Sequence, residues 1–476
     1  MNHPDLYLLI DGKRLKGEGR RTQAIINPAT GEELAQLPLA TPADLDRALE
    51  AAQRAWPVWR ALGPHQRGRI LHKAAALLRE RGDAIARLAT VEEGKVLAQA
   101  RIELEVSAET LDWYAEEGRR AYGRVLPQRM PGVRMTVVRE PVGPVAGFAP
   151  WNFPLGNPAR KLGAALGAGC SVIMKPAEEA PGCALAVAQA LVDAGVPDGV
   201  LSVVFGVPAE VSQHLLASPV IRAISFTGST VVGKQLAGLA AATMKRTTME
   251  LGGHAPVLVF DDVDVDAVLD MAVTSKFRNS GQVCVSPTRF YVHEAIYDRF
   301  AAGFAERAKS LQVGNGFDAD VKMGPLAHAR RLPAVSGLID EAVQRGAKAL
   351  TGAKALPGKG FFYAPTVLSD VPDTARIMNE EPFGPVAVLS RFSTFDEAIA
   401  KANRLPYGLA AYAFTQNARR VNLLGEQIES GMLGINSFVI AMPEAPFGGV
   451  KESGHGSEEG IEGLEACLVT KFITES

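Results

Sequence analysis

The sequence contains few cysteines, no excess of one charge and no long apolar segment. Four cysteines in 476 residues are too few and too widely spaced for a disulfide framework, so we expect a reducing, cytoplasmic setting. Fifty Lys and Arg residues balance 52 Asp and Glu residues, which leaves no basic field for gripping nucleic acid. With 47% apolar and 21% charged residues, the composition is typical of a globular protein.

Membrane and metal sites are equally unsupported by the sequence. The uncharged stretch 141–159 carries five prolines, which a transmembrane helix does not tolerate. Charges at Asp11, Lys13 and Arg14 leave no room for the apolar region of a signal peptide. The eight histidines are scattered, and no His/Cys/Asp group has metal-ligand spacing. We therefore expect no membrane, nucleic-acid or metal partner.

The spacing of apolar residues divides the chain into a helical start and a long α/β remainder. Residues 43–59, 65–91 and 97–122 have apolar residues at helical spacing. From residue 142 onward, short apolar strands alternate with helices of about ten residues, which predicts doubly wound parallel sheets. The prediction is an α/β fold of two doubly wound halves, with a small extended element split between residues 123–142 and the tail.

Two residues are candidates for covalent chemistry. Cys284 follows a glycine-containing break after a predicted helix, where a thiol can be presented at a surface. The usual role of a lone cysteine, a small buried hydrophobe, fits Cys170, Cys183 and Cys467. Glu250 is flanked by apolar residues and precedes a Gly-Gly turn. We expect such a carboxyl to have a raised pKa, which suits a general base. The alternative for Glu250 is hydrogen bonding to turn amides.

Three more motifs follow predicted strands, where α/β sheets place their sites. The side-chain amide of Asn152 is able to donate to an oxyanion, although an Asx turn between prolines is the alternative. Lys175 and Glu178 lie where such residues bind the hydroxyls of a ribose, and a solvated ion pair is the alternative. Gly228 and Ser229 lie at the start of a predicted helix, whose free amides suit a pyrophosphate.

The same glycine segment is almost a nucleotide-triphosphate loop. Gly228, Gly233 and Lys234 have the spacing of that motif, which makes a P-loop phosphotransferase an alternative function. Gln235, however, stands where a Ser or Thr must bind magnesium, and this departure argues against an NTPase.

Taken together, these segments resemble the aldehyde dehydrogenase superfamily over nearly the whole chain and in the family's order. Seven motifs carry the resemblance: Pro150-Trp151-Asn152-Phe153-Pro154, Lys175-Pro176-Ala177-Glu178, Phe226-Thr227-Gly228-Ser229, Glu250-Leu251-Gly252-Gly253, Gly281-Gln282-Val283-Cys284, Glu381-Pro382-Phe383-Gly384-Pro385 and Pro446-Phe447-Gly448-Gly449-Val450-Lys451-Glu452-Ser453-Gly454. The sequence as a whole is most similar to those of 2-oxoglutarate semialdehyde and succinate semialdehyde dehydrogenases.

The resemblance implies a role for each motif. Cys284 is the nucleophile that forms a thiohemiacetal, Asn152 and the Cys284 amide stabilise its oxyanion, and Glu250 activates the water that releases the acid. Lys175 is expected to have both a catalytic and a cofactor-binding role. Glu250 also separates the chain from CoA-acylating relatives, and intact catalytic residues argue against an inactive relative kept for structural binding. An acid at the place of Glu458 is proposed to assist proton transfer in relatives.

The implied cofactor is NAD. A carboxylate at Glu178 favours a free 2′-hydroxyl over a 2′-phosphate, while Lys175 still tolerates some NADP. The expected cofactor residues are Pro150, Trp151, Lys175, Glu178, Gly228, Ser229, Glu381 and Phe383. The expected domains are 1–122 with 143–252 for NAD, 253–450 for catalysis, and 123–142 with 451–476 for assembly into a homodimer or homotetramer.

Two arginines direct the substrate prediction. Arg160 and Arg278 occupy positions at which semialdehyde dehydrogenases hold the substrate's distal carboxylate. The alternative is that both arginines are ion-paired surface residues with no role in substrate binding. The enzyme would then be a broad-specificity aldehyde dehydrogenase. Ser286 stands where many succinate-semialdehyde enzymes have a second cysteine, so no disulfide switch is expected there. The predicted substrate is a short aldehyde that bears a carboxylate.

Overall fold

The computed structural model describes residues 3–476. Over these residues the chain forms fourteen α-helices, twenty-two β-strands and three short 3₁₀ segments. The helices are α1 Pro42–Ala61, α2 Pro64–Glu80, α3 Gly82–Glu93, α4 Leu97–Glu117, α5 Gly156–Ala168, α6 Pro181–Ala194, α7 Pro208–Ala217, α8 Thr230–Ala241, α9 Val265–Phe277, α10 Glu294–Ser310, α11 Arg331–Gln344, α12 Phe395–Asn403, α13 Ala418–Gln427 and α14 Gly460–Ala466. The 3₁₀ segments are Gly118–Arg120, Arg278–Gly281 and Arg376–Met378.

The strands form two large sheets and three small ones. They are β1 Leu8–Ile10, β2 Lys13–Leu15, β3 Thr22–Ile26, β4 Glu33–Pro38, β5 Arg124–Leu126, β6 Arg134–Pro141, β7 Val145–Ala149, β8 Val172–Pro176, β9 Leu201–Val203, β10 Ala223–Thr227, β11 Arg246–Glu250, β12 Pro256–Val259, β13 Arg289–His293, β14 Lys348–Thr351, β15 Thr366–Ser369, β16 Val386–Phe392, β17 Tyr407–Gly408, β18 Ala410–Phe414, β19 Met432–Ile435, β20 Val450–Lys451, β21 Gly454–His455 and β22 Leu468–Glu475.

The first large sheet has the order β2-β1-β9-β8-β7-β10-β11-β21. Its five central strands, from β9 to β11, are parallel, and the order reverses between β7 and β10. Every residue of β7 and β8 is buried, as expected for parallel strands covered by helices on both faces. The reversal opens a crevice at the carboxyl ends of β7 and β10, where such sheets bind ligands.

The second large sheet repeats this arrangement. Its order is β14-β15-β16-β13-β12-β18-β19, and the strands from β15 to β19 are parallel. One apolar core on each face covers it, with the aromatic cluster of Phe290, Phe300 and Phe304 on one side. The predicted α/β fold with two doubly wound units is therefore confirmed.

A three-stranded sheet of order β22-β6-β5 joins the two segments predicted to mediate assembly. Strand β22 pairs with β6 over eight residues, and Phe472 and Ile473 remain exposed on it. Strand β21, which lies in the same predicted segment, instead extends the first large sheet beside β11. The domain limits and the homo-oligomeric state stay predictions. No helix within residues 3–476 is both long and apolar enough to cross a membrane.

Candidate active site

A left-handed turn presents Cys284 between the two large sheets. Helix α9 ends at Phe277, and the next residues include Asn279 at φ 49° and Ser280 at φ 55°, a conformation that non-glycine residues rarely adopt. Gly281 follows at φ 71°, and a Cβ there would lie 2.1 Å from the carbonyl oxygen of Gly384. Strain of this kind is typical of functional sites, and here it sets the position of the thiol.

Asn152 is fixed against the cysteine loop by a buried network. Its side-chain amide donates to the carbonyl of Gln282 at 3.1 Å. Its own backbone carbonyl accepts from Lys95 Nζ at 2.9 Å and from Asn279 Nδ2 at 3.0 Å. Glu103 of α4 pairs with Lys95 and also accepts the backbone amides that follow Asn152. The amide predicted to stabilise an oxyanion is therefore rigidly placed against the backbone of Gln282, two residues before the thiol in the chain.

The thiol and the predicted base both lie in a low-dielectric environment. Burial raises the pKa of Cys284 to about 12, and the nearby Glu250 carboxylate adds to this shift. Glu250 ends β11 with 2% of its surface exposed, and burial together with Glu458 raises its pKa well above the ordinary value. Among the described residues, Glu250 Oε1 has no hydrogen-bond partner. The thiol is thus protonated at neutral pH and needs a base, and Glu250 has a free oxygen to serve it.

A buried acid-base cluster extends from Glu250 toward α14. Lys161 Nζ pairs with Glu458 Oε1 and donates to Thr227 Oγ1 at 2.7 Å. Ser225 Oγ donates to the same Glu458 oxygen at 2.8 Å. The other oxygen of Glu458 has no partner within residues 3–476. This cluster gives Glu250 charged neighbours of both signs.

A cleft of about 920 Å³ leads to Cys284 and has mostly apolar walls. Both predicted substrate arginines line it. The Arg160 guanidinium stacks 4.5 Å above the Phe447 ring, and its Nε donates to Glu459 at 2.8 Å. The exposed Arg278 lies 5.8 Å from the Phe153 ring and makes no ion pair with any residue that the structure describes. We call this the aldehyde cleft.

A second cleft, of about 1730 Å³, lies at the carboxyl ends of β7, β8 and β10, at the reversal in strand order. We call it the cofactor cleft. Six of the eight predicted cofactor residues line it: Pro150, Trp151, Lys175, Glu178, Gly228 and Ser229. Lys175, which was also predicted to be catalytic, is not among the described residues that line the aldehyde cleft. The lysine close to Glu250 is Lys161.

The chemistry of the cofactor cleft fits a dinucleotide. Lys175 Nζ lies 2.7 Å from Glu178 Oε2, and the Gly206 amide donates to the other Glu178 oxygen. This pair offers a donor and an acceptor to a ribose diol. Ser229 caps α8, whose free amides suit a pyrophosphate, and the backbone at Gly228 has no side chain to obstruct approach.

The remaining two predicted cofactor residues come from the second large α/β unit. Phe383 packs edge-on against Trp151 at 5.5 Å between ring centroids. Glu381 is half-buried, and the loss of solvent around its carboxyl raises its pKa to about 8. One of its oxygens lies 3.0 Å from where a Cβ on Gly252 would sit, so the glycine makes room for it. These contacts bring the 381–383 loop to the junction of the two clefts.

Sequence reasoning missed several residues that shape the site. Lys161, Lys95 and Glu103 are buried ionic residues on helices or a helix-flanking loop, where the sequence gives no sign of their partners. Glu459 is different, because a second acid inside a glycine-rich segment is visible in the sequence. Phe447 belongs to a quoted motif, but its contact with Arg160 depends on the tertiary fold.

Comparisons with known proteins agree with this geometry. The model of the aldehyde dehydrogenase family matches residues 15–473. The 4-(hydroxymethyl)benzenesulfonate dehydrogenase TsaD1 of Comamonas testosteroni is 50% identical over 466 residues, covering 98% of this chain and 97% of that protein. The NADP-dependent succinate-semialdehyde dehydrogenase of Escherichia coli is 42% identical over 465 residues, covering 98% and 96%.

Among solved structures, succinate-semialdehyde dehydrogenase from Burkholderia pseudomallei superimposes with a TM-score of 0.97 at 42% identity, covering 100% of this chain and 99% of that one. The predicted family and enzyme class are confirmed, and the P-loop alternative is set aside. Lys234, on which that alternative depended, pairs with Glu452 at 2.7 Å. The chain belongs to the aldehyde dehydrogenase family of oxidoreductases.

Proposed function

We propose that this enzyme uses NAD to oxidise a short aldehyde that carries a distal carboxylate, in the manner of a semialdehyde dehydrogenase. One observation carries the proposal: a single apolar cleft contains Cys284 together with Arg278 and Arg160. Apolar walls accept a carbon chain, and a guanidinium suits the planar carboxylate at its far end. Relatives whose names specify an anionic substrate, a succinate semialdehyde in one case, support the same class.

The residues of the aldehyde cleft divide the reaction between them. The Cys284 sulfur bonds to the carbonyl carbon, and its proton passes to Glu250. The resulting oxyanion accepts hydrogen bonds from the Asn152 amide and the Cys284 backbone N–H. When bound, the dinucleotide supplies the acceptor for the hydride that leaves the aldehyde carbon. Glu250 releases the first proton to solvent, takes a proton from the water that attacks the thioester, and returns it to the Cys284 thiolate as the acid leaves.

The cofactor cleft supports NAD over NADP. The Glu178 carboxylate would hydrogen-bond a free 2′-hydroxyl and repel a 2′-phosphate. Lys175 offsets part of that repulsion because its ammonium lies 2.7 Å from the same carboxylate. We therefore expect NADP to be used weakly rather than rejected.

A second candidate substrate class is an aromatic aldehyde with a sulfonate or carboxylate. The rings of Phe153 and Phe447 line the cleft on the way to Cys284, and flat apolar walls suit an aromatic body. The Comamonas testosteroni relative, at 50% identity, is named for a benzenesulfonate. Both candidates share an anion at the end remote from the reacting carbon.

The test compares charged with uncharged aldehydes. Specificity constants for NAD reduction are measured with 2-oxoglutarate semialdehyde, succinate semialdehyde, 4-formylbenzenesulfonate and pentanal. We expect the charged aldehydes to lead, and Arg278→Ala to lower their specificity constants about 30-fold, as loss of a charged partner predicts. Pentanal should be unaffected, and Arg69→Ala, at an exposed site on α2, should match wild type. Equal use of pentanal would contradict the proposal and leave a broad-specificity enzyme.

A further inference from the structure

Glu459 has a backbone conformation that is normally reserved for glycine. Its φ is 57° and its ψ is −177°, a region in which a side chain crowds the backbone. The segment is held in place, because the Glu459 amide donates to the Tyr114 hydroxyl at 2.8 Å and Trp113 Nε1 donates to the Gly460 carbonyl at 3.1 Å. Glycine would adopt this conformation without strain. We therefore infer that the glutamate side chain contributes something that glycine cannot.

The contacts of the Glu459 side chain indicate what it contributes. It is fully buried behind the aldehyde cleft, and its Oε1 accepts from Arg160 Nε at 2.8 Å. Its other oxygen has no partner among the described residues. Arg160 itself keeps 15% of its side chain exposed and is clamped on its face by Phe447. Among the described residues, Arg160 is therefore the one cation to which the Glu459 carboxylate is hydrogen-bonded.

We propose that Glu459 is a specificity-determining positioning residue, which fixes Arg160 and offsets its positive charge toward the aldehyde cleft. The cleft then presents one unpaired cation among the described residues, Arg278, together with a stacked guanidinium whose charge is offset by a buried carboxylate. Such a cleft selects an aldehyde with a single remote anion and an apolar body. This inference rests on the proposed function, because it assigns the charge balance of the same cleft.

The test removes the charge of Glu459 and keeps its shape. Glu459→Gln retains an oxygen that can accept from Arg160, so the guanidinium stays in place but its charge is no longer offset. We expect the specificity constant for 4-formylbenzenesulfonate to rise about tenfold relative to benzaldehyde, through KM and not kcat. The rise for 5-oxopentanoate relative to pentanal should be similar. Glu459→Gly, which also removes the backbone strain, should change both ratios in the same direction.

Two controls separate a charge effect from a structural one. Adding Arg160→Ala to Glu459→Gln should abolish the gain, because the uncovered guanidinium is its source. Glu462→Gln removes an exposed charge three residues away and should leave both ratios within twofold of wild type. The inference is overturned if Glu459→Gln leaves the charged-to-neutral ratios unchanged or lowers them, or if the gain persists without Arg160. It is also overturned if charged and neutral aldehydes shift equally. A wild-type protein that oxidises none of the four aldehydes would instead overturn the proposed function.

Discussion

The two clefts are built from different kinds of contact. In the cofactor cleft, the ion pair Lys175–Glu178 joins residues three apart at the end of one strand. In the aldehyde cleft, the ion pair Arg160–Glu459 joins residues 299 apart, from α5 to the turn before α14. The first pair follows from local sequence and sheet topology, whereas the second exists only after the whole chain has folded. The Lys175–Glu178 pair is therefore encoded locally, whereas the Arg160–Glu459 pair depends on the tertiary fold.

If the clefts are separate in function, the largest effect should come from Glu250. Glu250→Gln removes the base from the aldehyde cleft, and we expect kcat to fall about 10²- to 10⁴-fold, the usual contribution of a general base. The KM for NAD should stay within twofold of wild type, because Glu250 does not line the cofactor cleft. Steady-state kinetics with NAD varied at saturating aldehyde provide the measurement. A tenfold or larger change in the KM for NAD would contradict the separation of function between the two clefts.

An intermediate effect should come from the protonation of Cys284. Since burial raises its thiol pKa to about 12, the thiol is protonated at neutral pH and becomes more reactive as the pH rises. We expect the rate of iodoacetamide alkylation to increase about tenfold per pH unit between pH 7 and 9. Cys284→Ser should lose this phase, since Cys284 lines the aldehyde cleft through which the reagent enters and the other three cysteines do not. A rate that is constant over this range would mean that the thiolate is already formed.

The smallest effect should come from the cofactor cleft. Glu178→Gln removes the charge that opposes a 2′-phosphate, and we expect the NADP-to-NAD ratio of specificity constants to rise about fivefold. The change should be modest because Lys175 already offsets that charge. The KM for aldehyde should not move. Glu210→Gln, at an exposed site on α7, is the matched control. An unchanged ratio would show that Glu178 does not contact the ribose.

The sequence was sufficient for the fold and for the motif residues, and the physical reason is their locality. Alternating strands and helices predict the doubly wound sheets, and parallel strands place Asn152, Lys175 and Ser229 at one edge. The partners of Arg160 were not predictable, because neither spacing nor composition indicates that a glutamate near the C-terminus reaches α5. Lys95 and Glu103 were missed for the same reason: a buried ion pair on helices looks like ordinary surface charge in a sequence.

Covalent catalysis by Cys284 with release by Glu250 is tested most directly by trapping the intermediate. Glu250→Gln is mixed with NAD and succinate semialdehyde at pH 9, where the ionised fraction of the Cys284 thiol reacts without a carboxylate base but the thioester is not rapidly hydrolysed. The mixture is quenched in acid and digested, and the peptide that contains Cys284 is weighed by mass spectrometry. The account predicts that this peptide gains the mass of a succinyl group, and that Cys284→Ala gains none. An unmodified Cys284 peptide, in a variant that still binds both substrates, would contradict the account.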